Sequence, residues 1–310
     1  MLVSLIVACR GDAQKGSAAG QSKAAKTSTG FDGSAAYRYA KAQVDFGPRV
    51  PGSPAAKAAG DWIIRQMRAR ADTVIVQSFT YTTADGKKLA LRNILARFRP
   101  ELSNRVLYLT HWDSRPISES ATTEAEKKMP VPGANDGASG VGMFVALGDV
   151  LKKTKPNVGV DLLFTDGEDY GQFGPPDVDV LIGAKYFATH LPSPGYKPLY
   201  GVLWDMIGDK DLRIPYEMNS FQQVPDVVSR VWQTAADLGH ADVFVQESGG
   251  QITDDHMPLL NAGLRVIDVI DLTYPPHHTP YDTMDKISAH SLEIVGRTIL
   301  RTIELLDAQP

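Results

Sequence analysis

The segment Val160 to Gly171, VDLLFTDGEDYG, runs an apolar stretch directly into three acids, Asp166, Glu168 and Asp169. Carboxylates this close repel one another and are costly to bury, so a strand ending in them needs opposite charge nearby. The pattern recurs along the chain. LTHWDS places His111 and Asp113 after one apolar run and LWDMIG places Asp205 after another; PGANDGASG offers Asp136, and YPPHHTPYDT offers His277 and His278. Carboxylates and imidazoles gathered at one edge are the donor set of a divalent cation such as zinc, and the cation neutralises charges that would otherwise repel. Each residue also has an ordinary explanation: Asp136 can cap a helix, His278 can bond to loop backbone, and Glu168 with Asp169 can form a solvated turn. Taken jointly these explanations weaken, and Gly133, Gly137 and Gly140 around Asp136 suit close backbone approach more than capping.

The elements that must position these residues follow from local pattern. SPAAKAAGDWIIRQMRARA opens with Ser53 as N-cap and Pro54 at the first helical position, and Trp62, Ile63 and Met67 recur at helical spacing. TVIVQSFTYTT, the turn-like ADGK and LALRNILARF read as a β-hairpin, and RVLYLTHWDS as an apolar strand. Beyond a long loop come a helix over about 139–152, the strand at Val160, a helix over 182–190 and the strand LYGVLWDMIG. A helix over 224–238, the strand LRVIDVIDL and a closing helix over 288–306 follow. Strands separated by helices, several of them continuously apolar, predict an α/β three-layer sandwich: a central mostly parallel or mixed sheet flanked by helices. Ligands in such sheets bind beyond the carboxyl ends of the strands, which is where the donors fall.

With 310 residues and 43% hydrophobic content the chain can bury one large core, and no repeat or low-complexity stretch interrupts it after about residue 35. A net charge of -4 and a pI near 6.0, with Lys and Arg scattered, exclude a nucleic-acid surface. MLVSLIVACRGD is a short apolar run ending at Cys9, the only cysteine, which rules out a disulfide framework. It resembles a bacterial lipobox. The expected organisation is a signal segment over 1–9, a flexible tether over 10–35 and a catalytic domain over 36–310, in an exported or periplasmic protein tied to a membrane only through a lipid on Cys9. A trimmed signal peptide or a frayed terminus is the plainer alternative, and no Lys or Arg precedes the apolar run. No other segment reaches the ~20 apolar residues of a spanning helix.

From about Tyr37 to Leu306 the chain resembles peptidase family M28 and, within it, the zinc-dependent glutaminyl cyclases of animal and bacterial type. The resemblance is carried by GPRVPGSPAA, VQSFTYTTADGKKLALRNILARF, LTHWDSRP, GANDGASGVG, FTDGEDYG, GAKYFATHL, LWDMIGD, GGQITDDHMPLLNAG and HHTPYDT, in order and spacing. It implies a zinc-exopeptidase-like fold and zinc ligands at Asp136, Asp169 and His278, with Glu168 as general acid/base. His111 and Asp205 correspond to the pair that holds a second metal in the peptidases and stays metal-free in the cyclases. ITDDHMPLL is similar to the cyclases' double acid, which implies that Asp254 shares a hydrogen-bond network with Glu168 and Asp205. Peptidases of the family usually carry one Asp there. The chain departs from the animal cyclases where His277 replaces a Trp before the metal-binding His, and where Tyr170 and Phe173 stand in a loop that carries another Trp. The expected substrate pocket therefore uses Phe173, His277 and Tyr274 as walls; Tyr274 reads equally as a loop-packing residue, and Arg115 as a solvated surface residue.

The chemistry implied is cyclisation of an N-terminal glutamine of a peptide or protein to pyroglutamate with loss of ammonia. It needs one Lewis acid, because the attacking amine belongs to the substrate and attack is effectively unimolecular. A two-zinc aminopeptidase would instead generate hydroxide, using His111, Asp136 and Asp205 for the second ion. A binding lipoprotein without catalysis is the third reading, opposed by the filled ligand positions and Glu168.

Overall fold

The computed structural model describes residues 30–308. Helices α1 (Gly33–Val44) and α2 (Pro54–Arg68) lead into the strands β1 (Thr73–Thr82), β2 (Lys88–Phe98) and β3 (Arg105–His111). Helix α3 (Ala138–Thr154), strand β4 (Gly159–Thr165), helix α4 (Ile182–Thr189) and strand β5 (Tyr200–Asp205) then alternate. A short strand β6 (Ile214–Tyr216), helices α5 (Met218–Gln223) and α6 (Pro225–Asp237), strand β7 (Phe244–Ser248), helix α7 (His256–Asn261), strand β8 (Val266–Ile270) and helix α8 (Ala289–Asp307) follow.

The central sheet has the order β1-β2-β4-β3-β5-β8. The hairpin β1–β2 is antiparallel and joins antiparallel to β4, while β4, β3, β5 and β8 run parallel. This is the expected mixed sheet. Alternate residues of β3 serve two cores, as a pleated strand requires: Val106 and Tyr108 enter one with α2, α3, α6 and α8, whereas Leu107 and Leu109 enter the other with α4 and α7. Helices thus cover both faces, and β3, β4 and β8 are buried along their whole length. Strands β6 and β7 form a separate two-stranded sheet that the sequence pattern did not show.

Helix α2 starts as expected, with the Ser53 hydroxyl accepting from the Ala56 N–H at 3.0 Å. At the amino end one boundary moves. Asp32 caps α1 by accepting from the Ala35 N–H at 2.8 Å, so 33–35, assigned to the tether from sequence, are helical. Helix α1 then lies so close to α3 that a Cβ on Gly142 would overlap the Ala36 carbonyl oxygen. The signal segment with Cys9 and the tether up to residue 29 lie outside the described residues. Among those described, no helix is long and apolar enough to cross a membrane.

Candidate active site

Because β3, β4 and β5 are parallel neighbours, their carboxyl ends open on one edge, and each ends in donors. His111 is the last residue of β3, Asp205 the last of β5, and Asp166, Glu168 and Asp169 follow β4. The other end of β4 is a useful contrast. Asp161 there is fully buried, but Arg105 donates to it at 2.7 and 2.8 Å, Arg97 at 3.1 Å and Tyr196 at 2.9 Å. Protein cations neutralise that end; the end that carries Glu168 and Asp169 has far fewer.

Asp136 comes from the loop before α3. It does not cap the helix: the cap is Gly137, without any side-chain cap bond. Gly137 has φ 91°, and a Cβ there would stand 2.7 Å from the Asp113 carbonyl oxygen, so the turn requires glycine. The backbone of this loop is held by Asp282, whose carboxylate accepts from the N–H groups of Asn135 at 2.8 Å and Asp136 at 3.1 Å and from the Tyr274 hydroxyl at 2.7 Å. Asp113 plays the same part for β4, accepting from the Glu168 and Asp169 N–H groups at 3.1 and 3.2 Å. None of these acids is solvated; Glu168 and Asp169 are 6% and 1% exposed.

The donors converge as two groups that share Asp136. In one, Asp136, His277 and His278 place donor atoms within 4.8 Å of one another; in the other, His111, Asp136 and Asp205 do the same. His278 Nε2 lies 3.7 Å from Asp136 Oδ2 and 3.4 Å from Asp169 Oδ1, so His278 faces both other residues named as ligands from sequence, with His277 Nε2 as a further donor 3.9 Å from Asp136 Oδ2. His111 Nε2 stands 2.9 Å from Asp136 Oδ1 and 3.2 Å from Asp205 Oδ1. The second carboxylate oxygen of Asp169 is buried without a hydrogen-bond partner. A buried carboxylate oxygen left without a partner suits a divalent cation, and the oxygen and nitrogen donors gathered at this edge suit zinc.

Two residues complete the arrangement. Glu119 Oε1 lies 2.7 Å from His278 Nδ1, and the other Glu119 oxygen accepts from Arg115 Nε at 2.7 Å. Arg115 in turn donates to Asp169 Oδ1 at 2.5 Å. Arg115 is only 4% exposed, so the surface role given it from sequence is wrong: the acids of the β4 end draw it inward. Burial raises the Glu119 carboxyl, but its bonds to His278 and Arg115 outweigh that and hold it at about 2.

The acids behind the donors behave differently. Burial and the charge of Asp254 push Glu168 well above the usual carboxylate range, and burial with the charges of Asp205 and Asp255 does the same to Asp254. Among the described residues no direct hydrogen bond joins Glu168, Asp254 and Asp205; they are coupled through charge. Glu168, Asp169, Asp205, Asp254, His277 and Phe173 line one cleft of about 660 Å³. Phe173 and His277 are therefore among the residues that line it. Tyr274 is not: 2% exposed, it sits behind the cleft and spends its hydroxyl on Asp282. Tyr170 is also turned away, receiving a bond from Lys87 Nζ at 3.0 Å. Sequence reasoning named Asp113 only as a candidate donor and missed Glu119 and Asp282; Asp282 lies within the quoted YPPHHTPYDT, and Glu119 four residues after Arg115.

The chain is similar to known proteins over most of its length. A crystal structure of Porphyromonas gingivalis glutaminyl cyclase is 36% identical over 89% of this chain and 99% of its own, with a TM-score of 0.85. A leucine aminopeptidase precursor from Bacteroides thetaiotaomicron is 34% identical over 89% and 98%, with a TM-score of 0.86. Bovine glutaminyl-peptide cyclotransferase is 25% identical over 286 residues, covering 81% of this chain and 76% of its own. The family model of peptidase family M28 matches residues 93–303, which takes in every donor named above. The chain belongs to peptidase family M28.

Proposed function

We propose that the protein is a zinc-dependent glutaminyl-peptide cyclotransferase, closing the N-terminal glutamine of peptides or proteins to pyroglutamate with release of ammonia. The observation that carries this reading is Glu168: a buried carboxyl of raised proton affinity, opening on the cleft beside Asp254 and next to the donors Asp136, Asp169 and His278. The likeness to solved glutaminyl cyclases over most of the chain supports it. Asp136, Asp169 and His278 would hold the zinc ion, which would supply a Lewis acid towards the side-chain amide.

The remaining steps fall to the chain's own residues. The cleft's acidic wall receives the substrate α-amine, and Phe173 and His277 limit the space around the glutamine side chain. The α-nitrogen bonds to the side-chain amide carbon while Glu168 takes a proton from that nitrogen. Glu168 then returns the proton to the departing amide nitrogen, which leaves as ammonia when its bond to carbon breaks. A carboxyl held well above the usual carboxylate range is suited to both halves of that transfer. Burial and the charge of Asp254 keep it so.

The second reading, a two-zinc aminopeptidase, is favoured by one observation, the intact group His111, Asp136 and Asp205. Mass analysis of the products from a Gln-initiated and a Leu-initiated peptide separates them. Loss of ammonia from the first without shortening is the expected result; release of a free N-terminal residue at a comparable rate overturns the proposal. Location belongs to the same proposal, as an exported protein held at a membrane by acylated Cys9, and incorporation of labelled palmitate that a Cys9→Ser change abolishes is its test.

A further inference from the structure

We propose that Arg115 and Glu119 are positioning residues for the metal centre: together they fix the ring of His278 and reserve one oxygen of Asp169 for the ion. The inference rests on the assignment of Asp169 and His278 as ligands, and the experiment below separates the two.

Four side chains close a ring. His278 Nδ1 meets Glu119 Oε1 at 2.7 Å, Glu119 Oε2 accepts from Arg115 Nε at 2.7 Å, Arg115 Nη1 donates to Asp169 Oδ1 at 2.5 Å, and Asp169 Oδ1 stands 3.4 Å from His278 Nε2. A carboxylate has only acceptors to offer, so Glu119 selects the imidazole tautomer with its proton on Nδ1. The lone pair then sits on Nε2, the nitrogen that faces Asp136 and Asp169. On the other side, Arg115 saturates Asp169 Oδ1 and also reaches the Asp169 carbonyl oxygen at 3.4 Å. Oδ2 keeps no partner, so Asp169 has one oxygen left for an ion.

Backbone geometry points the same way. His278 adopts φ 55°, a left-handed conformation that non-glycine residues hold only when their surroundings over-determine it. The surroundings here are two consecutive residues: Glu119 holds the ring, while the Ser120 N–H donates to the His278 carbonyl oxygen at 3.2 Å. Arg115 is itself fixed, with its guanidinium 5.9 Å from the centre of the Phe173 ring and its carbonyl accepting from the Val131 N–H at 3.0 Å. The loop after β3 thus grips the loop that carries His278.

The test uses the full chain, stripped with a chelator and titrated with zinc against a chromophoric competitor, together with zinc-free unfolding midpoints. Glu119→Leu keeps bulk and removes the acceptor; zinc affinity should fall by about 10–100-fold. Glu119→Gln, whose amide oxygen still accepts from Nδ1, should recover most of that loss. Should Glu119→Leu not fold, Arg115→Lys serves: one ammonium cannot span Glu119 and Asp169 as the guanidinium does, and affinity should again fall. If Glu119→Leu and Arg115→Lys bind zinc as the parent does while His278→Ala does not, the positioning role is wrong and the ligands stand. If His278→Ala binds zinc like the parent, the ligand assignment fails and the positioning role with it.

Discussion

Asp282→Asn tests how the loop carrying Asp136 is held. The carboxylate of Asp282 accepts from two backbone donors, one on each oxygen, at 2.8 and 3.1 Å, and from Tyr274. An asparagine turns one of those oxygens into a donor. Whichever way the amide faces, one buried N–H, of Asn135 or of Asp136, meets another N–H in place of an acceptor. The Tyr274 hydroxyl can rotate to suit; a backbone N–H cannot. One unsatisfied buried donor costs about 1–3 kcal/mol. Loss of the charge cuts both ways: it relieves repulsion from Asp136, which with burial holds Asp282 at about 6, and it strips buried Arg49 of a counter-charge. For a chain of this size ~1 kcal/mol moves the unfolding midpoint by about 2 °C, so a drop of about 2–6 °C is expected. Calorimetry in chelator reads that drop, and zinc titration reads whether Asp136 has lost its place. A midpoint within about 1 °C of the parent and unchanged affinity would refute the reasoning.

Glu168→Gln should remove turnover by about 10²–10⁴-fold while zinc content and the unfolding midpoint hold, since the amide keeps the shape and cannot carry the proton; more than about a tenth of parental activity rules out the role. Elemental analysis of an Asp136→Ala, His278→Ala double variant should find the metal gone, and full occupancy would sink the ligand set. In chelator, stability should decline as pH rises from about 5 to 10. Burial raises Asp255 to about 7 from 3.8, so its contribution is lost between those values; His278, lowered by burial but raised further by Asp169 and Glu119 to about 10, gives stability that is full below 6.5 and lost on the way to 10. Glu119 acts only below its unfolded 4.5, outside this interval. A metal-free midpoint that climbs from pH 6 to pH 9 contradicts the sign.

The sheet, its hairpin and the major helices were legible because burial writes itself into period. VDLLFT and RVLYLTH are mostly apolar and lie between helices on both faces. Helix α1 was not, since GSAAYRYAKAQV buries mainly small residues against α3, and its start fell inside the tether despite the Asp32 cap. At the site, donor types and their places at strand ends were visible in sequence, whereas partnerships were not. Arg115 looks like a surface residue until Asp169, from the end of another strand, meets it. Tyr274 looks like a pocket wall until Asp282 claims its hydroxyl. The first pairing depends on closure of loops far apart in the chain and the second on the fold of a single loop, and spacing along the chain is silent about both.

The strand order bears on how the chain folds. Leu107 pairs with Gly201 across β3 and β5, Val202 with Ile267 across β5 and β8, and only the β1–β2 hairpin is local. Long loop closures before each pairing make such a sheet slow to form. His111 and Asp205 are joined by the β3–β5 pairing and Asp169 by that of β3 with β4, and His278 comes from beyond the last strand. No intermediate lacking β5 or β8 can present the full donor set, so zinc cannot template early steps and capture of the ion should coincide with the final kinetic phase. Refolding followed at once by fluorescence and by zinc uptake should therefore give one shared slow rate, and uptake in an earlier phase would show that the donors meet before the sheet is complete.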